Sequence, residues 1–363
     1  MPSRGVLIRL QKADLSVCNE AASFLQSGFW GSFKSRFGWK ALAFNVTWKN
    51  EETKPLLVLL RHVAAGLSLA YIPWGPELPV DLTEDEQRWI AIKELAASLK
   101  ELLPKDILFI RFDPPWETNA SQTSIAPFVR SGADIQPPDT VLVDLREPME
   151  SIMEQMKPKW RYNARLALKK GVTVRSAGVE ELDVFYELLK ETARRDGIAI
   201  HNKEYYRALF EESLSPNNSS LLIPPSSLKI TLYLAGHEGD VLAGIVTLFR
   251  GRDAVYLYGA SSEEKRSLMA PYALQLKAME DAKAFGCEVY DLFGIPPDED
   301  PSHPMAGLYR FKTGFGGRII HRPGSWDYPL RPLLYRLFRG AEDMRKKLRT
   351  LKKNSLKRSR RKG

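Results

Sequence analysis

A hairpin, a loop, a helix and a buried strand occur twice along this chain, in the same order, and each time close on two consecutive prolines. In the first half, β-rich runs at 56–61 and 67–72 around a short Ala-Ala-Gly turn predict the hairpin. Thr83 and Glu86, at capping-box spacing, predict a helix from there to about Leu103. Trp89, Ile92, Leu95, Ala96 and Leu99 give that helix one apolar face. The run 107–112 reads as a buried strand and ends at Asp113-Pro114-Pro115. In the second half, strands are predicted at 229–235, 241–250 and 254–259. A helix from Pro271 to Gly286 and a strand at 288–293 follow, ending before Pro296-Pro297. A period this long points to duplicated domains rather than a solenoid. A length of 363 residues accommodates two of ordinary size.

The remaining segments complete the expectation. A strand at 5–10, an aromatic helix at 19–37 and a strand at 39–48 precede the first hairpin. Between the halves, 148–171 reads as mostly helical, followed by helices at 180–196 and 203–214; a last long helix starts at 332 and runs to about 351. Hydrophobic residues make up 44% of the chain, enough for packed cores. No apolar run suits a signal peptide or a membrane span: the longest, 56–72, is broken by Arg61, His62 and Gly66. Cys18 and Cys287 match no metal spacing and no disulfide framework, so a cytoplasmic protein without a metal is expected. The net charge of +9 belongs to the C-terminus: eleven Lys and Arg and no acid lie between Arg345 and Gly363, so the rest is close to neutral. Such a tail, predicted to be disordered, suits RNA or an anionic membrane surface, or serves solubility alone.

The repeated unit resembles the GNAT acyltransferase architecture. The expected fold class is therefore α+β, with two tandem GNAT-like domains. They are expected at 1–146 together with about 323–345, and at 147–322, with a basic tail at 346–363. Ordinary GNAT members cradle the coenzyme A pyrophosphate on backbone N–H groups of a Gly-rich loop. The corresponding loop at 262–270 has no glycine and two glutamates, and the first-half loop at 75–79 is acidic and poor in donors. Neither suits coenzyme A, so another acyl donor is expected.

Seven motifs in register then carry a second resemblance: FLQSGFWGSFKSRFGW (24–39), AYIPWGPEL (70–78), FIRFDPP (109–115), MKPKWRYNARLALKKGV (156–172), YGASS (258–262), YDLFGI (290–295) and HPMAGLYRFKTGFGG (303–317). Together they resemble the Fem family (FemA, FemB, FemX and MurM relatives), over almost the whole chain to about residue 330. The resemblance implies a non-ribosomal peptidyltransferase of cell-wall synthesis. Such an enzyme moves an amino acid of the glycine, serine or alanine class from aminoacyl-tRNA to the side-chain amine of residue 3 of the peptidoglycan stem peptide. The acceptor is lipid II or UDP-MurNAc-pentapeptide, aminoacyl-tRNA is a substrate rather than a cofactor, and no cofactor is expected. No heptad run suggests a coiled-coil arm, so a compact, arm-less monomer is expected.

Position by position, the resemblance implies the following. Lys34 falls where the family places a lysine on the precursor diphosphate; a point-charge ammonium suits a phosphate. Asp113 falls on an aspartate that holds the acceptor ammonium and helps remove its proton, with a simple Asp-Pro turn as the rival. Tyr205 and Tyr258 match substrate contacts, with core packing as the rival for Tyr258. Lys312 and Phe311 match the pair at the acyl-transfer centre, and Lys312 faces either the tetrahedral oxygen or a tRNA phosphate. His201 stands where members often carry an arginine, Ser325 replaces a glutamate, and Trp74 replaces an arginine in the Pro-x-Gly-Pro turn.

The block containing Lys157, Lys159, Arg161, Arg165, Lys169 and Lys170 is the candidate tRNA surface, with Trp160 and Tyr162 as stacking platforms. Its rival is a charged helix face with two core aromatics. No Ser or Cys has a His partner in prospect, which excludes nucleophilic catalysis from the expectation. Two alternatives stay open at this stage: an acyl-CoA N-acyltransferase of the same architecture, and a non-catalytic RNA-binding protein with a degenerate transferase core.

Overall fold

The computed structural model describes residues 8–49, 51–64, 66–118, 126–215 and 228–359. The first half begins with β1 (Arg9–Ala13), α1 (Gly28–Ser35), β2 (Lys40–Thr47), β3 (Thr53–Ala64) and β4 (Leu67–Ile72). It continues with α2 (Asp85–Leu102), β5 (Ile107–Phe112) and β6 (Val129–Arg130). Then come β7 (Asp139–Asp144), α3 (Met149–Gln155), α4 (Pro158–Lys169), β8 (Thr173–Ala177), α5 (Leu182–Asp196) and α6 (Lys203–Ser213). The second hairpin is β9 (Leu228–His237) and β10 (Asp240–Arg250), followed by β11 (Asp253–Ser261), α7 (Ala270–Phe285) and β12 (Val289–Asp291). The chain ends with α8 (Ala306–Thr313), β13 (Arg318–His321), β14 (Trp326–Pro329) and α9 (Pro332–Ser359).

Two seven-stranded sheets result, ordered β1-β2-β3-β4-β5-β14-β6 and β13-β7-β12-β11-β10-β9-β8. Each is antiparallel except for one parallel pair, β4 with β5 and β11 with β12. In each case a helix, α2 or α7, bridges the parallel strands, because parallel neighbours need a crossover. The duplicated plan thus has the same topology in both halves. One apolar core packs α2 on the outer face of the first sheet, around Trp89, Ile92, Leu95 and Phe112. A second packs α4 and α7 on the outer face of the second, around Leu274, Met279 and Tyr290. The third lies between the sheets and unites α1, α5 and α6 through Phe33, Tyr205, Tyr206 and Leu234.

The chain crosses between the sheets twice. It leaves the first sheet after β6 and returns at β14, so β7 pairs in the second sheet although it lies before residue 147. Arg250 of β10 adds a polar tie across the halves. Its buried guanidinium donates to the carbonyls of Asn19 (2.7 Å), Ala21 and Ala22 (3.1 Å).

Several expectations need correction. The helix at 19–37 is broken into 3₁₀ turns at Leu15–Glu20 and Phe24–Gln26 and the short α1. Ser23 and Ser27 accept from the backbone N–H groups of Leu25 and Trp30, and these local bonds restart the chain direction. Thr83 does not cap α2: its N-cap is Glu84, without a side-chain bond, and Asp85 and Glu86 stand in the first turn. The first strand is Arg9–Ala13, and residues 5–7 of its expected span lie outside the described residues. The basic tail is helical as far as Ser359, since nothing between 341 and 359 is Gly or Pro; 360–363 lie outside the described residues.

The Arg250 tie generates a stability prediction. Arg250→Leu leaves three buried carbonyls without a donor and is expected to cost about 3 kcal/mol in urea denaturation. Arg250→Lys is expected to cost less, because one or two of the bonds can re-form.

Candidate active site

Asp113 follows β5 at the point where the chain turns into Pro114-Pro115. Its backbone is fixed first: its N–H donates to the Ile72 carbonyl (3.1 Å), and its carbonyl accepts from Gly75 (3.1 Å). Its carboxylate, 3% exposed, accepts from the hydroxyls of Tyr71 and Ser325. Burial pushes its pKa up to about 6 against the opposing pull of those bonds and of Arg111. Arg111 itself is engaged elsewhere, in a bidentate pair with Asp327 at 2.7 and 2.9 Å. Asp113 is therefore a buried carboxylate that titrates close to neutrality, the property a general base needs.

Lys34 lies in the last turn of α1, which buries Phe29, Trp30 and Phe33. Its ammonium sits 5.4 Å from the ring centres of Trp30 and Tyr205 and 5.9 Å from that of Trp39. No carboxylate lies within ion-pair distance of it among the described residues. Burial and then Arg61 lower its pKa to about 8. Arg61 stacks on Trp39 at 5.2 Å, and His201 stacks on Tyr205 at 3.7 Å. Burial, followed by the nearby Lys34, depresses the His201 pKa, which keeps that ring neutral at physiological pH. Two cations thus converge on an aromatic wall with no counter-ion among the described residues, a pocket suited to an anion. The wall continues from Trp39 to Tyr71 (5.8 Å between ring centres), and Tyr71 holds Asp113. Tyr205 and Tyr258 share a hydrogen bond at the same pocket, and Tyr258 meets Tyr206 edge-on at 5.1 Å. Lys34, Tyr205 and Tyr258 are therefore brought together.

Lys312 of α8 is 6% exposed. Its Nζ donates to the carbonyls of Phe293 (3.1 Å) and Gly294 (3.0 Å) and lies 5.1 Å from the centre of the Tyr256 ring. Burial lowers its pKa to about 7, partly opposed by Asp291. The turn it grips reaches the first half: Phe293 packs on Trp74 at 5.7 Å, and Trp74 precedes the Gly75 that bonds Asp113. Lys312 and Asp113 thus anchor two turns that meet across one seam. The Phe311 ring is packed edge-on against Tyr272 (5.4 Å) and Phe315 (5.0 Å), and its carbonyl accepts from the Trp160 indole (2.8 Å).

That last bond corrects part of the tRNA expectation. Trp160 is locked to α8 and cannot serve as an open stacking platform, whereas Tyr162 is exposed. A Cβ at Gly314 would overlap the Trp160 ring, so glycine is required where α8 meets α4. Arg161 caps the end of α3 through the carbonyls of Glu154 (2.7 Å) and Met156 (2.8 Å). Lys157, Lys159, Arg165, Lys169 and Lys170 are exposed along a helix bolted to the one that carries Lys312.

Sequence reasoning missed Tyr71, Arg61 and Arg322, and marked Ser325 only as the replacement of a glutamate. Arg322 lies 4.3 Å from the centre of the Trp74 ring, and one of its buried Nη atoms has no hydrogen-bond partner among the described residues. Trp74, left unexplained from the sequence, is the platform for this guanidinium. Only its position in the second crossing, next to β13, would have hinted at a role.

The raised pKa of Asp113 has a measurable consequence for stability. Its folded value lies near 6 and its unfolded value near 3.8, so its contribution is fully present below 3.8 and is lost as pH rises through about 6. Asp113→Asn removes the cost of a buried charge and is expected to raise Tm relative to wild type at pH 8 but not at pH 4. An equal Tm difference at both pH values would show that Asp113 carries no buried charge.

Lipid II:glycine glycyltransferase of Staphylococcus aureus (strain MRSA252) is 25% identical to this chain over 388 residues, spanning 88% of this chain and 91% of the relative. The enzyme of the same name from strain NCTC 8325 / PS 47 is 25% identical over 382 residues, spanning 86% and 89%. The crystal structure of FemX superposes with a TM-score of 0.75 at 21% identity, covering 91% of this chain and 99% of FemX, which establishes the shared fold. A profile of the FemAB family matches residues 16–134, 127–223 and 229–343, and by that breadth the chain belongs to the FemAB family.

Proposed function

We propose that this protein is an aminoacyltransferase that moves a glycine, serine or alanine class residue from aminoacyl-tRNA to the side-chain amine of residue 3 of the peptidoglycan stem peptide. The acceptor is carried on lipid II or UDP-MurNAc-pentapeptide, and the enzyme works as a monomer in the cytoplasm. The relatives named above are lipid II:glycine glycyltransferases, which supports this class of acceptor. The observation that carries the reading is the continuous wall from Lys34 to Asp113. It has a cation pocket with no counter-ion among the described residues at one end and a buried carboxylate titrating near 6 at the other.

In this reading the precursor diphosphate lies on Lys34 and Arg61, against Trp39, Tyr205 and Tyr258. The acceptor ammonium, with a reference pKa near ~10, is not nucleophilic until it loses a proton. Asp113 holds it and accepts that proton, oriented by Tyr71 and Ser325. The free amine attacks the ester carbonyl of the aminoacyl-tRNA; a new C–N bond forms and the tetrahedral oxygen carries the negative charge. Collapse breaks the C–O bond and expels the ribose oxygen, which is protonated to regenerate the tRNA hydroxyl. Lys312 supplies positive charge at the transfer centre, either to the tetrahedral oxygen or to a tRNA phosphate. One such donor is worth about 3 kcal/mol. Lys157, Lys159, Arg165, Lys169 and Lys170 hold the tRNA backbone, with affinity that falls steeply as salt rises.

The acyl-CoA alternative has a specific obstacle. In the loop at 262–270, the Glu263 N–H that a pyrophosphate would need donates to Glu191 (2.6 Å), which also accepts from Ser262 (3.0 Å). A carboxylate of this chain already fills the cradle.

The decisive assay measures transfer from several charged tRNAs to a lysine- or ornithine-containing precursor. Lys312→Met is expected to lower kcat about 100-fold or more while precursor binding is retained; near-wild-type transfer would remove Lys312 from the mechanism. The kcat/KM of the wild type is expected to fall as pH drops through about 6, where Asp113 becomes protonated. Asp113→Asn should abolish that limb along with most activity. Saturable binding of coenzyme A with no transfer from any charged tRNA would overturn the whole reading.

A further inference from the structure

The last helix carries two apolar faces, and only one of them is used. Tyr335 and Phe338 of α9 turn inward, 5.2 and 5.7 Å from the centre of the Phe109 ring, and the Tyr335 hydroxyl donates to Asp327 (2.7 Å). On the opposite side, Leu333, Leu337, Met344 and Leu348 are 75%, 71%, 65% and 59% exposed. Their steps of four, seven and four residues place them on one stripe of a 3.6-residue helix. Large apolar side chains are seldom lined up in water without a use.

The charges around the stripe identify what covers it. Exposed Arg345 borders it on one side, and exposed Arg336 and Lys347 on the other. Lys346 reaches back to the Gly132 carbonyl (3.0 Å) and ties the helix to the body. Of the two acids of this stretch, Glu342 lies on the side turned away from the stripe, and Asp343 lies on the flank of Arg336 and Lys347, where the cations outnumber it. From Arg345 to Ser359 the helix has eight Lys and Arg and no acid. No helix among the described residues is long and apolar enough to cross a membrane.

We infer that the outer face of α9 docks this protein onto an anionic lipid bilayer, with Leu333, Leu337, Met344 and Leu348 seated among the acyl chains and the flanking cations on the headgroups. An apolar stripe with a cationic border is the pattern of a helix lying in the membrane interface. RNA would engage the cations but has no use for the leucines. The inference goes beyond the transfer reaction and does not rest on it, because docking is measured with no precursor present.

The test is co-sedimentation of the full chain with vesicles of phosphatidylcholine containing a minority of phosphatidylglycerol, and with vesicles of phosphatidylcholine alone. The wild type is expected to bind the anionic vesicles, and to bind them more weakly as salt rises. Leu337→Ser with Met344→Ser is expected to reduce that binding about tenfold or more. Arg345→Gln with Lys347→Gln, which leaves the stripe intact, is expected to reduce it several-fold. All four positions are exposed, and an unchanged Tm in each variant establishes that the fold is kept. The affinity for tRNA should be unchanged by the Leu337 and Met344 substitutions. The inference is overturned if the wild type ignores anionic vesicles or if the serine variant binds them as well as the wild type does. It is equally overturned if the serine variant loses tRNA affinity but keeps vesicle binding, or if it converts a wild-type dimer to a monomer.

Discussion

Ser325 is the knot of this molecule. The two crossings between the sheets run side by side, and Ser325 ties them. Its N–H donates to Asp134 (2.7 Å), and its carbonyl accepts from Ser131 (2.9 Å) and Arg130 (2.9 Å). Its hydroxyl donates to Asp113 and accepts from the Ile135 N–H (3.1 Å). Gly324 beside it has φ +71°, and a Cβ there would collide with Arg130 and Asp134, so the approach needs glycine. A side chain that closes the domain crossing is thus the same one that orients the buried carboxylate. The seam between the halves and the candidate active site are one structure.

Burial then sets the electrostatics. It raises the acid and lowers the bases: Asp113 stands near 6, Lys312 near 7 and Lys34 near 8. Each group is held by neutral partners, hydroxyls for Asp113, carbonyls for Lys312 and aromatic rings for Lys34, rather than by an opposite charge. Ion pairs would have driven these values apart; desolvation without pairing brings them toward neutrality, where proton exchange with a substrate is cheapest. The bidentate ion pair of Arg111 with Asp327 is set aside from this group and braces β5 against β14.

The helix α9 belongs to the same design at a larger scale. Its inner face rests on Phe109, in the strand that leads to Asp113, while its outer face points away from the body. Whatever holds the outer face therefore holds the strand that presents the carboxylate.

The order and type of most elements were legible along the chain, because apolar period and turn chemistry are local. The second hairpin, the α7 helix with Pro271 in its first turn and the buried run of β5 all stand where those signals put them. The motifs around Lys34, Asp113 and Lys312 were legible as a family resemblance. The breaks at Ser23 and Ser27 were not, since a serine that bonds its own backbone looks the same in sequence as one on a helix surface. The role of Ser325 as the tie for Asp113, the Arg322–Trp74 stack and the engagement of Trp160 with α8 join residues from about 150 to more than 240 positions apart. Nothing in local periodicity records such pairs. They exist because two chain crossings meet at one point, and that meeting is a property of the packed sheets.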